Sequence, residues 1–209
     1  MLPKSNTEKS YLRFFHVFPA SLSVDVYINK KLMVSDILYE DFTEYLSLPS
    51  GEHTITITKN KNSAPILNKK VHLSNNSIYT CIIAPVNKDT MSIDINIIED
   101  TQRAIPINNL LCRFAHFSNV LSNIDLTLSD GTSIFKNVAP KQVTNYIMLK
   151  QGTYSLTIRD INTSRTLLNV ENIRLKPSRF YSIYAIGSNK KEFPIQLVIP
   201  IDGNSYLRF

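Results

Sequence analysis

The sequence predicts an all-β chain folded as two tandem antiparallel β-sandwiches, with one extra strand at the C-terminus. Three observations lead there. A short segment is written three times, as Ser10-Tyr11-Leu12-Arg13-Phe14, Leu110-Leu111-Cys112-Arg113-Phe114 and Ser205-Tyr206-Leu207-Arg208-Phe209. The first two copies each open a long stretch of matching sequence, the mark of a duplicated structural unit. Apolar residues alternate with period two, as in Val24, Val26 and Ile28 against Asp25, Tyr27 and Asn29, and no amphipathic helix stands out.

In the first repeat, strands are expected near 11–18, 23–29, 31–39, 42–48, 52–59, 67–73 and 77–85, with a further run at 91–98. Tyr, Thr, Ile, Val and Phe dominate these runs, as a pleated, half-buried surface prefers. Lys30-Lys31 and Asp130-Gly131 mark one matched turn. Pro49-Ser50-Gly51 and Lys150-Gln151-Gly152 mark another, where glycine supplies a positive φ. The repeats align at an offset of 100 through Arg13/Arg113, His16/His116 and Asp25/Asp125. The offset becomes 101 through Tyr45/Tyr146 and Gly51/Gly152, then 102 through Val71-His72-Leu73/Ile173-Arg174-Leu175, Thr80/Ser182 and Asp100/Asp202. Short strands at this spacing point to immunoglobulin-like sandwiches. The expected organisation is a tail at 1–10, a first sandwich at 11–100, a linker at 101–109, a second sandwich at 110–202 and a C-terminal strand at 203–209.

Composition narrows the function classes. The 209 residues suit two domains of about 100 residues each. A hydrophobic fraction of 43% with 19% charged residues belongs to a globular chain. No run of about 18 apolar residues occurs, so no membrane insertion is expected. The polar N-terminus lacks a signal-peptide pattern, and cytoplasmic synthesis is expected. Cys81 and Cys112 fall at non-equivalent positions of the two repeats, which favours two buried free thiols over a scaffold disulfide. The net charge of +6 comes with lysines spread over loops and no recognition helix, so no nucleic-acid partner is expected.

Two constellations recur in both repeats. His16 and His116 each lie beside an arginine and ahead of an aspartate, the makings of an oriented general base. His16, however, alternates in phase with Leu12, Phe14 and Phe18, which favours a buried neutral histidine. Arg13 with Asp25, and Arg113 with Asp125, would form bidentate pairs fixing the register of the first two strands if those strands are neighbours. Together with Tyr45, Gly51, Tyr146 and Gly152, these residues are expected to be fold determinants. One matched histidine per repeat is too few for a structural metal site, and neither metal nor other cofactor is expected. No nucleophile elbow or phosphate loop is present, and there are only five glycines. Without tryptophan, a sugar platform would fall to Tyr11, Tyr39, Tyr79, Tyr181 or Tyr184. The terminal Tyr206-Leu207-Arg208-Phe209 reads as an assembly strand. It docks either on its own chain, favoured by high effective concentration, or on the sheet edge of a neighbour.

The Arg-x-x-His strand (Arg13, His16), the Val-Asp-Val-Tyr strand (Val24 to Tyr27) and the Tyr-x-x-Leu-Pro-x-Gly hairpin (Tyr45, Leu48, Pro49, Gly51) together resemble the bacterial domain of unknown function family DUF4397. The second repeat keeps Arg113, His116, Asp125, Tyr146 and Gly152 and departs at Thr127 and Lys150. The ending Asp-Gly-Asn-Ser-Tyr resembles versions from clostridial spore-formers. The resemblance implies β-sandwich modules of surface or envelope proteins without established enzyme activity. The expectation is therefore a non-enzymatic structural or interaction protein of a spore coat or cell envelope, with protein partners and self-association. A carbohydrate- or peptide-binding module is the alternative.

Overall fold

The computed structural model describes residues 8–19, 23–59, 64–87, 92–101 and 103–209. The chain divides into two compact units, residues 1–101 with 207–209, and residues 102–206.

The first unit contains β1 (Lys9–His16), β2 (Val24–Ile28), β3 (Lys31–Ile37), β4 (Leu46–Pro49), β5 (Gly51–Lys59), β6 (Pro65–Leu73), β7 (Ile78–Pro85) and β8 (Ile93–Glu99). They form two four-stranded sheets, in the orders β4-β1-β7-β8 and β3-β2-β5-β6. Between the sheets lie Leu12 and Phe14 from β1, Val24 and Val26 from β2, Ile55 and Ile57 from β5, and Cys81 and Ile83 from β7. Each such aliphatic or aromatic side chain contributes about 1.5–3 kcal/mol when fully buried. The sandwich is not purely antiparallel. β1 runs parallel to β7, with Tyr11 opposite Ile78 and His16 opposite Ile83. Period-two patterning assigns residues to faces and is silent on the direction of a neighbouring strand, so the sequence could not show this pair.

The run expected as a strand over 42–48 is one only from Leu46. Before it, the Thr43 hydroxyl accepts the Phe14 N–H at 2.9 Å and donates to the Glu44 carbonyl, standing in for the ladder. The β2–β3 turn places Asn29 at φ 51° and Lys30 at φ 69°, the two positive angles of a type I′ hairpin. Gly51 follows the β4 turn at φ 116°, a conformation that favours glycine. Gly152 does not share it, so the expected positive φ is needed in only one of the two repeats.

The second unit contains β9 (Asn109–His116), β10 (Ile124–Leu128), β11 (Ser133–Val138), β12 (Ile147–Lys150), β13 (Gly152–Asp160), β14 (Thr166–Leu175), β15 (Phe180–Ile186) and β16 (Gln196–Val198). The sheet orders, β12-β9-β15-β16 and β11-β10-β13-β14, repeat those of the first unit. β9 again runs parallel to β15. Leu110, Cys112, Phe114, Ile124, Leu126, Leu156, Ile158 and Ile183 fill this core.

The C-terminal segment 203–209 is not a strand. Gly203–Ser205 form one turn of 3-10 helix, closed by N–H bonds from Ser205 to the Asp202 carbonyl and from Tyr206 to the Gly203 carbonyl. The Ser205 hydroxyl accepts the Phe180 N–H at 2.8 Å, a bond that holds the turn against β15. Leu207, Arg208 and Phe209 have no regular secondary structure. They group with the first unit, where the Phe209 ring lies 5.3 Å from the Tyr11 ring and the Tyr11 hydroxyl donates to the Arg208 carbonyl.

Candidate functional site

Four of the side chains matched between the repeats, an arginine, a hydroxyl residue, a tyrosine and an aspartate, come together in each unit as a largely buried polar cluster. In the second unit, Arg113 projects from β9 on the side opposite Phe114, and its residue is only 3% exposed. Its Nε donates to the Ser182 hydroxyl of β15 at 2.7 Å. That hydroxyl donates to Asp202 at 2.8 Å, and the Tyr146 hydroxyl donates to the same carboxylate oxygen at 2.7 Å. The guanidinium approaches this oxygen at 3.8 Å and lies 4.6 Å from the Tyr146 ring centre. Anion, cation and hydroxyls therefore compensate one another inside the protein, where an isolated charge would be costly.

The first unit places the matched residues in a similar arrangement. Arg13 Nε donates to the Thr80 hydroxyl at 3.0 Å, and the Tyr45 hydroxyl donates to Asp100 at 3.2 Å. The Arg13 guanidinium lies 4.8 Å from both the Tyr45 and Phe42 rings. Val143 takes the place of Phe42 in the second unit, so one ring is lost there.

The expected Arg13–Asp25 and Arg113–Asp125 pairs are not formed as bidentate links between neighbouring strands. β1 and β2 lie in different sheets, as do β9 and β10. Arg13 points away from the core on one sheet and Asp25 points away from it on the other. Asp25 instead accepts the N–H of Asp36 at 2.8 Å, and Asp125 that of Asn137 at 2.7 Å. Asp36 and Asn137 have positive φ at the point where β3 and β11 bulge, so each aspartate caps a bulge.

His16 and His116 are fully buried. His16 Nδ1 donates to the Ile37 carbonyl at 3.1 Å, whereas His116 uses Nε2 to reach the Ser122 carbonyl at 2.9 Å. A carbonyl only accepts, so these bonds fix opposite tautomers. The second ring nitrogen has no hydrogen-bond partner among the described residues in either case. Burial lowers both histidine pKa values, only partly offset by the carbonyl bonds. Among the described residues, neither ring faces a carboxylate at hydrogen-bond distance that would orient it as a base. Cys81 and Cys112 are buried and free, and desolvation pushes the Cys112 thiol up to about 12 and Cys81 higher still. Among the described residues, no group of three or more His, Cys, Asp or Glu side chains is placed to hold one metal ion.

Of the tyrosines considered for a sugar platform, Tyr79 and Tyr181 are buried, and their hydroxyls accept backbone N–H groups of Ser74 and Lys176. Tyr184 is fully buried against Phe117, Tyr39 is half-buried, and Tyr11 is engaged by Phe209 and Lys9. Sequence reasoning aligned Thr80/Ser182 and Asp100/Asp202 but did not join them to the arginines. Retention of Asp100 and Asp202 at the end of each repeat was the available signal. It also missed His53 and Tyr154, matched positions of unlike chemistry that each donate to the carbonyl of the preceding turn, at Pro49 and Lys150 respectively.

One end of the second unit carries an open polar surface. Two shallow clefts of about 290 and 440 Å³ meet at Gln151 in the β12–β13 turn. Lys150, Arg174 and Lys176 line them, with Asn108, Asn109 and Thr153.

A search of curated proteins finds no match. Among solved structures, the chain is similar to a family 26 carbohydrate-binding module from Eubacterium rectale Amy13K crystallised with maltoheptaose (8% identity, TM-score 0.28, covering 92% of this chain and 98% of that one). It is also similar to a streptococcal virulence factor described as binding α-glucan (10% identity, TM-score 0.27, 96% and 100% covered). The Bacillus anthracis TIE protein is similar at 13% identity and TM-score 0.26, over 87% of this chain and 34% of that one. The model of the domain of unknown function DUF4397 matches residues 10–127 and again 121–209, taking in both repeats. The chain belongs to the DUF4397 family.

Proposed function

We propose that this chain is a non-catalytic protein that works by interaction, as a component of a spore coat or cell-envelope layer in a spore-forming bacterium. The buried Arg–Tyr–Asp clusters carry this reading. The arginines and terminal aspartates kept in both repeats are buried, and the hydroxyls around them bond within the cluster, as residues that hold a sandwich together would. The histidines that suggested a general base lie in the interior and bond to backbone carbonyls. The divergent, exposed surface is then left for contact with partners.

Fractionating sporulating and vegetative cells, with immunodetection of the chain, tests the placement. Recovery in the coat or envelope extract is the expected result, and recovery in the soluble cell fraction alone overturns it. A second reading, a glycan- or peptide-binding module, is favoured by one observation: the clefts at the β12–β13 end are lined by exposed cations and by amides.

A further inference from the structure

The net charge is not shared between the units. Residues 102–206 hold twelve Lys and Arg against six Asp and Glu, whereas residues 1–101 with 207–209 hold eleven of each. The whole excess of +6 therefore belongs to the second unit.

Duplication supplies an internal control for where that excess matters. Lys150, Arg174 and Lys176 give the cleft lining a charge of +3, and among the described residues no carboxylate or aromatic ring lines either cleft. None of the three cations forms an ion pair among the described residues. In the first unit, the matched positions are Pro49, His72 and Ser74, and Asn108 and Thr153 are matched by Glu8 and Glu52. One change runs the other way, from Lys9 to Asn109. The same end of the first unit thus sums to −1, a swing of four charges on one backbone frame. β13 and β14 hold Thr153 opposite Arg174, as β5 and β6 hold Glu52 opposite His72. The fold does not require these cations, because the first unit builds the same hairpins without them.

We propose that this end of the second unit binds an acidic polysaccharide. Lys150, Arg174 and Lys176 meet its carboxylate or sulfate groups, the Arg174 fork being suited to paired oxygen acceptors. Gln151, Asn108, Asn109 and Thr153 hydrogen-bond its hydroxyls. The lack of an aromatic ring disfavours single-stranded nucleic acid, whose bases stack on such rings, and neutral sugars, which use the same platform. Because the cations are exposed, binding weakens as salt rises. This assignment rests on the interaction reading above and adds the partner's chemistry to it.

Calorimetric titration of the full chain at low salt tests the proposal, with polygalacturonate, dextran sulfate, neutral dextran and an oligothymidine as probes. The expected result is binding of an acidic polysaccharide, no binding of neutral dextran, and at least a tenfold loss of affinity in the variant Lys150→Ser/Arg174→His/Lys176→Ser. That variant should keep the parent melting temperature, since all three positions are exposed. Failure of both acidic polysaccharides to bind, equal binding by the variant, equal binding of neutral dextran, or preference for the oligonucleotide would each overturn it. Envelope fractionation separates the two readings: a chain found in the envelope that binds no acidic polysaccharide sinks only the present proposal.

Discussion

The two units keep one chemistry and change another. Arg13, Thr80, Tyr45 and Asp100 are answered in the second unit by Arg113, Ser182, Tyr146 and Asp202, and in both units the arginine Nε donates to a hydroxyl and the tyrosine hydroxyl donates to the aspartate. At the β4–β5 and β12–β13 ends, equivalent backbones carry Glu8, Glu52, His72 and Ser74 in one unit and Asn108, Thr153, Arg174 and Lys176 in the other. What is buried has been held by the cost of leaving a partner unsatisfied. What is exposed has been free to diverge, and divergence there is where a binding difference can arise.

The largest expected effect breaks the conserved half of this comparison. Asp202→Ala leaves Arg113 buried without its counter-ion, and Asp100→Ala strips the acceptor from Tyr45. Each should destabilise its own unit by about 3–5 kcal/mol, measured as a shift of that unit's urea transition. The second unit should suffer more, because Tyr146 holds its aspartate at 2.7 Å against 3.2 Å for Tyr45. Next come the bulge caps. Asp25→Ala and Asp125→Ala each orphan a backbone N–H and should cost about 1–3 kcal/mol, with the larger cost at the more buried Asp25.

The histidines give a pH-dependent contrast. Both have folded-state pKa values below the ordinary value of about 6.5, so the unfolded chain binds protons more readily than the folded one. Their contribution is complete above about 6.5 and is lost as pH falls from there through the folded values. Melting curves across this range should show falling stability, and His16→Gln with His116→Gln should flatten the slope. A smaller effect is expected at the C-terminus. Removing Leu207, Arg208 and Phe209 deletes the ring contact and hydrogen bond made by Tyr11, costing the first unit about 1 kcal/mol.

That terminal segment also shows how far the sequence could be read. Ser-Tyr-Leu-Arg-Phe occurs twice; at Ser10–Phe14 it is part of β1, flanked by β4 and β7, and at Ser205–Phe209 it forms no strand. The same five side chains follow their neighbours. Ser10 donates to the Ser74 carbonyl beside a paired strand, while Ser205 closes a turn behind Asp202. Periodicity showed which face of β1 holds Leu12 and Phe14, and hence that Arg13 faces the other way. It could not show that β2 belongs to the opposite sheet, and the Arg13–Asp25 pairing failed for that reason. The true partners come from elsewhere in each repeat: Thr80 and Ser182 accept from the arginines and Asp202 lies against Arg113, and the matches of Thr80 with Ser182 and of Asp100 with Asp202 were the hints.

The central claim is that the shared buried residues hold the fold while the cations of the second unit carry binding. Thermal unfolding of the parent chain and of Lys150→Ser/Arg174→His/Lys176→Ser, each with and without the bound acidic polysaccharide, tests both halves at once. Without ligand the two should melt together. With ligand well above its Kd, the second unit's transition should rise by several degrees in the parent and stay fixed in the variant. A variant that melts lower by itself, or that gains as much from the ligand as the parent does, would contradict the account.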